Sequence, residues 1–171
     1  MKKILTVYFS HKGENYFPGG IKVIAKGNTE IAAEYIQKAI GGDLLEIETV
    51  KPYPNDYKTC CDVAKEELHT NTRPEIKTLP ESISQYEAIF VCYPNWWGTA
   101  PMCIFTFLDQ YDLTGKKIIP LCTNEGSGMG TSEQDLQKNY PNTVFAGGLS
   151  IHGHKVQNSE TIIANWATKS V

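Results

Sequence analysis

The chain reads as an α/β protein: a three-layer, doubly wound fold with an open five-stranded parallel sheet and helices on both faces. Three observations predict it. Apolar runs of strand length alternate with segments of helical period along the chain, the pattern of successive βα units. The runs at 4–9, 88–93 and 117–122 are nearly continuously apolar, as strands covered on both faces must be. Two segments of unusual composition, a turn with two tryptophans and a glycine-rich loop, directly follow two of those runs. Open α/β sheets place their ligands beyond such strand ends, at the point where the strand order reverses.

Taken in order, the first residues, Met1-Lys2-Lys3-Ile4-Leu5-Thr6-Val7, imitate a signal peptide. Their apolar stretch ends near Phe9, too short for the hydrophobic region of one, and no small-residue cleavage site follows. Residues 4–9 are therefore expected to be a first strand. Residues 28–40 set Ile31, Ala32, Tyr35, Ile36 and Ala39 on one face of a helix, and Gly41-Gly42 stops it. Residues 43–50 alternate Leu45, Ile47 and Thr49 against Glu46 and Glu48, a second strand nearer a sheet edge. Residues 55–68 carry Tyr57, Cys61, Ala64 and Leu68 at helical spacing. After the buried strand at 88–93, Pro101 suits the first turn of a helix over 100–110. A fourth strand spans 117–122. Ser132 and Asp135 suggest a capping-box-like start to a helix ending near Tyr140. A fifth strand begins over 143–146, and residues 159–168 close the chain with a helix carrying Ile162, Ile163 and Trp166. Right-handed crossovers are expected throughout, and residues 1–171 are expected to form one domain.

Composition excludes several classes of function. The 171 residues are 41% hydrophobic and 20% charged, and the net charge of −3 is too mild for a nucleic-acid or anionic-membrane surface. It is also milder than the acidity expected of a protein that docks basic redox partners. No stretch approaches the ~20 apolar residues of a membrane span. Cys60, Cys61, Cys92, Cys103 and Cys122 show no disulfide framework, which predicts a reduced, cytoplasmic protein. Cys92, Cys103 and Cys122 lie in apolar runs and read as buried small hydrophobes. Cys60 and Cys61 are adjacent and could form a redox pair.

Three loops carry the chemistry. After the first strand come Ser10, His11 and Lys12, and later Gly27, Asn28 and Thr29 open the first helix. Hydroxyls, a cation and the free N–H groups of a helix start are the parts of a phosphate cradle, although an ordinary helix cap would use the same residues. Neither a Walker loop nor the Gly-x-Gly-x-x-Gly loop of dinucleotide-binding folds is present. The fourteen residues from Gly13 to Lys26 are long for a βα loop and read as a hairpin flap, part of a ligand wall, or a surface excursion. After the third strand, Tyr93-Pro94-Asn95-Trp96-Trp97-Gly98 offers flat indole rings suited to stacking a flat aromatic ligand; packing in the core is the alternative. After the fourth strand, Thr123-Asn124-Glu125-Gly126-Ser127-Gly128-Met129-Gly130 allows close backbone approach, and its N–H groups could serve a carbonyl or developing negative charge.

Together Tyr8-Phe9-Ser10 with Gly27-Asn28-Thr29, the Trp-Trp-Gly loop and Cys122 to Gly128 resemble the flavodoxin-like family, in particular its short bacterial members. The resemblance covers nearly the whole chain and implies strand order 2-1-3-4-5 and FMN as cofactor. It implies that Ser10, Lys12, Gly27, Asn28 and Thr29, with His11 beside them, hold the 5′-phosphate. It implies that Trp97 faces the isoalloxazine with Trp96 beside it. Pro94, Asn95 and the backbone to Gly98 would meet the N5 edge. Thr123, Asn124, Glu125, Gly126, Ser127 and Gly128 would meet the pyrimidine edge. The long 13–26 insertion and a lysine at position 12, where the family has a hydroxyl residue, depart from its pattern.

The same resemblance leaves two redox functions open. One is an electron carrier between partner proteins; the other is an NAD(P)H-dependent oxidoreductase that reduces a quinone-like acceptor. A cofactor-free interaction module of the same fold is a third reading. A homodimer burying the 13–26 excursion or the tryptophan loop is a conjecture that sedimentation would test. His152 and His154 would share one face of a strand, but no third ligand stands near them in sequence, so no metal is expected. No acidic cluster ends the first strand, as a phospho-acceptor domain would need, and no Gly-x-Ser-x-Gly suggests a serine hydrolase.

Overall fold

A computed structural model describes residues 3–171; Met1 and Lys2, which open the leader-like segment, lie outside the described residues. The first strand, β1 (Ile4–Tyr8), is buried at every position. The excursion after it is a hairpin. β2 (Gly13–Phe17) and β3 (Gly20–Ile24) pair antiparallel, with Phe17 opposite Gly20 across the two-residue turn Pro18-Gly19. Next come α1 (Asn28–Ile40), closed by Gly41 at φ 71°, and β4 (Asp43–Glu46). β4 is shorter than the alternation predicted. Ile47 still donates to the Tyr8 carbonyl, but Thr49 makes only an isolated bridge to Ile76.

α2 (Tyr57–His69) starts at Asp56, whose carboxylate accepts from the Thr59 N–H and caps the helix. β5 (Ala88–Pro94) leads to α3 (Met102–Leu108), a helix buried on all sides, with Pro101 just before its first residue. β6 (Lys117–Asn124) is followed by α4 (Ser132–Asn139). The expected fifth strand is two short strands, β7 (Val144–Phe145) and β8 (Leu149–His152). A 3-10 helix, Gly153–Asn158, then leads into α5 (Glu160–Ser170).

The main sheet runs β4-β1-β5-β6-β7, with β8 also on β6, and every pairing is parallel. Counting its strands in chain order, with β7 and β8 as the fifth, this is the order 2-1-3-4-5. The split of the fifth strand has a local cause. β7 pairs with Lys117 and Ile118, β8 pairs with 121–124, and Pro120 stands between with no N–H to give the ladder. Opposite it, the Gly148 amide donates to the Glu133 carboxylate at 2.7 Å, away from the sheet.

Along β5 the side chains alternate between two cores. Ile89, Val91 and Tyr93 join Ile104, Leu108 and Leu136 on one face. Phe90 and Cys92 join Ala32, Ala33, Ile36, Ile163 and Ala167 on the other. Helices α1 and α5 thus cover one face, and α3 and α4 the other.

The anticipated capping box at α4 is not formed. Ser132 lies inside the helix, fully buried, accepting from the Tyr93 hydroxyl and donating to the Met129 carbonyl. The buried Tyr93 hydroxyl needs a partner, and Ser132 supplies it. Asp135 instead accepts from Thr131 and Thr99. No helix among the described residues is long and apolar enough to cross a membrane.

Candidate functional site

The loops after β1, β5 and β6 open at the carboxyl ends of three adjacent strands, beside the β1/β5 point where the strand order reverses. They share one cavity of about 640 Å³, within the range of small-molecule sites.

One end of this region is the start of α1. Gly27 is its N-cap and has no side chain to cap it, so Ser10, seventeen residues earlier, does so: its hydroxyl accepts from the Glu30 N–H at 3.1 Å. The Asn28 and Thr29 N–H groups have no hydrogen-bond partner among the described residues. The close approach of Ser10 requires a glycine at 27, because a Cβ there would lie 2.0 Å from the Ser10 Oγ. Asn28 lines the cavity. Thr29 is buried, and its hydroxyl pairs with that of Thr123 at 2.8 Å, tying α1 to β6. Lys12 is exposed, and like Ser10, Gly27 and Thr29 it is not among the residues that line the cavity. His11 lines the cavity and donates through Nε2 to the Pro54 carbonyl at 2.9 Å; burial lowers its pKa below the ordinary value.

The second wall is the tryptophan turn. Trp96 and Thr99 exchange backbone hydrogen bonds around Trp97 at φ 57° and Gly98 at φ 85°, the positive-φ pattern of a type I′ turn. A tryptophan in that region is backbone strain that the surroundings must hold in place. Asn95 holds it: its Oδ1 accepts from the Gly98 N–H and its Nδ2 donates to the Gly128 carbonyl, both at 2.9 Å. The two indoles differ. Trp96 is half-buried, edge-on to Phe9, Tyr53 and His11, and so belongs partly to the core as well as to the cavity. Trp97 is 51% exposed, its Nε1 donating to the Cys61 carbonyl and Lys65 standing over its ring.

The glycine loop is more constrained than its composition implies. The Asn124 Oδ1 accepts from both the Gly126 and Gly128 N–H groups, so these two amides, expected to face a ligand, are already taken. Pro94, Thr123, Asn124, Glu125 and Ser127 line the cavity; Gly126 and Gly128 do not. The loop is clasped to the tryptophan turn through Gly98, whose carbonyl accepts from the Thr131 N–H at 2.7 Å. Glu125 turns to the segment after β8, where it accepts from the His154 N–H and meets its Nδ1.

The remaining wall was only partly legible in sequence. Glu14, Asn15 and Tyr16 of the hairpin line the cavity, so the excursion is part of its wall. It is anchored: the Glu14 N–H donates to the Asn55 carbonyl, and its carboxylate accepts from the Tyr57 N–H at the start of α2. Tyr57, Cys60, Cys61 and Ala64 of α2, and Gly153, line it as well. The helical spacing of Tyr57, Cys61 and Ala64 marked them as one face without showing that the face meets a cavity. Cys60 and Cys61 are free thiols, and burial pushes the Cys60 thiol up to about 12, which keeps it protonated and a poor nucleophile.

The chain matches the family model described as Flavodoxin over residues 21–170. Among solved structures, one described as a candidate flavoprotein from Bacteroides eggerthii DSM 20697 is 32% identical; the match covers 96% of this chain and 99% of that one, with a TM-score of 0.73. A second, from Bacteroides uniformis ATCC 8492, is 28% identical over 98% of each chain, with a TM-score of 0.77. A flavoprotein in complex with FMN from Lactobacillus acidophilus NCFM shares the fold at 22% identity, over 92% of this chain and 98% of that one, with a TM-score of 0.68. No curated protein matches the chain.

Proposed function

The chain belongs to the flavodoxin family, and we propose that it is an FMN-binding redox protein that transfers electrons through the bound flavin. One observation carries this reading: a single cavity reaches from Asn28, the first residue of α1, to the tryptophan turn. The first suits a phosphate and the second a flat ring. The complex of the Lactobacillus acidophilus flavoprotein with FMN supports the choice of cofactor.

Bound FMN supplies the one- and two-electron chemistry, and the protein's part is binding, orientation and electrostatics. The N–H groups of Asn28 and Thr29, with the Ser10 hydroxyl, would hold the phosphate. The backbone from Asn95 to Gly98 would meet the N5 edge. Thr123 to Gly128 would meet the pyrimidine edge, with the Glu125 and Ser127 amides as the donors that Asn124 has not claimed. Trp96, fixed by Phe9 and Tyr53, would buttress the turn while Trp97 lies against the ring. Tyr16 and Tyr57, 6.4 Å apart between ring centroids, would limit water from the hairpin side.

Trp97→Ala should weaken FMN binding by roughly 1–3 kcal/mol. The exposure of this side chain predicts little change in melting temperature. Flavin titration alongside thermal unfolding checks both; unchanged affinity would mean that the ring faces away from the cofactor.

A second reading, an NAD(P)H-dependent oxidoreductase acting on a quinone-like acceptor, is favoured by the hairpin. Glu14, Asn15 and Tyr16 wall the cavity, so a small acceptor entering it would meet them. Anaerobic reduction of the FMN-loaded protein, followed by its visible spectrum, tests both. Reduction one electron at a time is the expected result for a carrier. Direct two-electron reduction with turnover of NAD(P)H and a quinone would establish the enzyme. Failure to bind flavin at all would remove both.

A further inference from the structure

We propose that Glu125, His152 and His154 form a binding site for one divalent transition-metal ion of the zinc type. The site goes beyond the flavin reading and does not depend on it. It is assembled by the sheet. The parallel register of β6 on β8 sets Asn124 beside His152, so the first residue after β6 and the last of β8 emerge together. One ligand atom from each of the three side chains lies within 4.8 Å of the others. The two imidazoles stand nearly perpendicular, at 78° with centroids 5.5 Å apart, as rings arranged around a common point do.

The carboxylate is held in place for this role. Its Oε1 accepts from the His154 backbone N–H at 2.8 Å, leaving Oε2 against the His154 Nδ1 at 2.5 Å. The Glu125 side chain is only 12% exposed, whereas that of His154 is 29% exposed. The His152 ring has no hydrogen-bond partner among the described residues and packs edge-to-face on His154, which leaves its nitrogens free for a ligand. Gly153 makes the approach possible. A Cβ there would lie 2.6 Å from the Glu125 Oε1 and 2.4 Å from the Asn28 Nδ2, so His-Gly-His is the arrangement that lets both histidines flank this carboxylate.

Two imidazoles and one carboxylate are a donor set for zinc and its first-row neighbours; magnesium and calcium prefer oxygen ligands throughout. Bonds of about 2.0–2.2 Å draw the ligand atoms closer than they stand here. Rotation of the exposed His152 and His154 rings supplies that closure. Three protein ligands leave a fourth position open. Because Glu125 and Gly153 also line the cavity, the ion would sit at its rim and clip the glycine loop to the segment after β8.

The test uses the full, tag-free, flavin-free protein. Calorimetric titration with Zn2+ should show one saturable equivalent. His152→Ala and His154→Ala should each weaken it at least tenfold, while His69→Ala, at the far end of α2, leaves it unchanged. The Co2+-loaded protein should show visible d–d bands without the near-ultraviolet charge-transfer band of a cobalt thiolate, separating this site from the cysteines. Circular dichroism of the variants confirms that they are folded. Absence of saturable binding, binding undiminished in both histidine variants, or a thiolate band would each overturn the proposal.

Discussion

Gly27→Ala is expected to lower FMN affinity by at least tenfold, or about 1.4 kcal/mol, while the chain still folds. The added Cβ would lie 2.0 Å from the Ser10 Oγ, 3.1 Å from its Cβ and 3.0 Å from the His11 carbonyl oxygen. The Ser10 side chain can rotate away, but then it no longer accepts from the Glu30 N–H. Loss of that cap should cost about 1 kcal/mol of stability. The larger effect falls on binding, because the same movement shifts the Ser10 hydroxyl and the first amides of α1, where the phosphate is proposed to sit. Titration with riboflavin separates the two consequences. Riboflavin has no phosphate, so its affinity should hardly differ between the two proteins. An equal loss for riboflavin and FMN would place the phosphate elsewhere.

The parts of this site that were legible in sequence, and those that were not, divide along physical lines. β1, β5, β6 and α1 follow from local pattern, because strands buried on both faces and an amphipathic helix leave their period in the chain. The alternation that extended the second strand to residue 50 reflects burial rather than pairing. Ile47 and Thr49 are buried, but beyond Glu46 the chain leaves the ladder and Thr49 only bridges to Ile76. The glycine loop was visible as composition. Composition does not reveal that one side chain, Asn124, takes the amides of Gly126 and Gly128. Lys12 stood two residues from Ser10 in sequence, yet it is exposed, while Ser10 caps a helix whose N-cap, Gly27, lies seventeen residues beyond Ser10. The approach of Glu125 to His154 was out of reach altogether. It depends on the register of two strands far apart in sequence, which no local spacing encodes.

Gly130→Ala should be the most damaging single substitution in the site. Gly130 has φ 55°, and a Cβ there would lie 2.1 Å from the Gly98 carbonyl oxygen and 2.7 Å from its carbon. Both are backbone atoms, so no side chain can rotate to relieve the overlap. The left-handed conformation alone disfavours alanine by about 1 kcal/mol, and forced overpacking adds about 1–3 kcal/mol. The strain would not stay local. Gly98 is the last residue of the strained Trp97-Gly98 pair, and its carbonyl accepts from the Thr131 N–H and hydroxyl. Pushing it away opens the clasp between the tryptophan turn and the glycine loop, which carry the two edges proposed to meet the flavin ring. The expected result is a loss of roughly 2–4 kcal/mol in urea unfolding. Affinity for FMN and for riboflavin should fall together, in contrast to Gly27→Ala. If Gly130→Ala unfolds like the parent protein yet binds neither flavin, the clasp serves ligand binding alone. If stability falls while both flavins bind normally, the two loops do not need each other to hold the ring, and their proposed joint role fails.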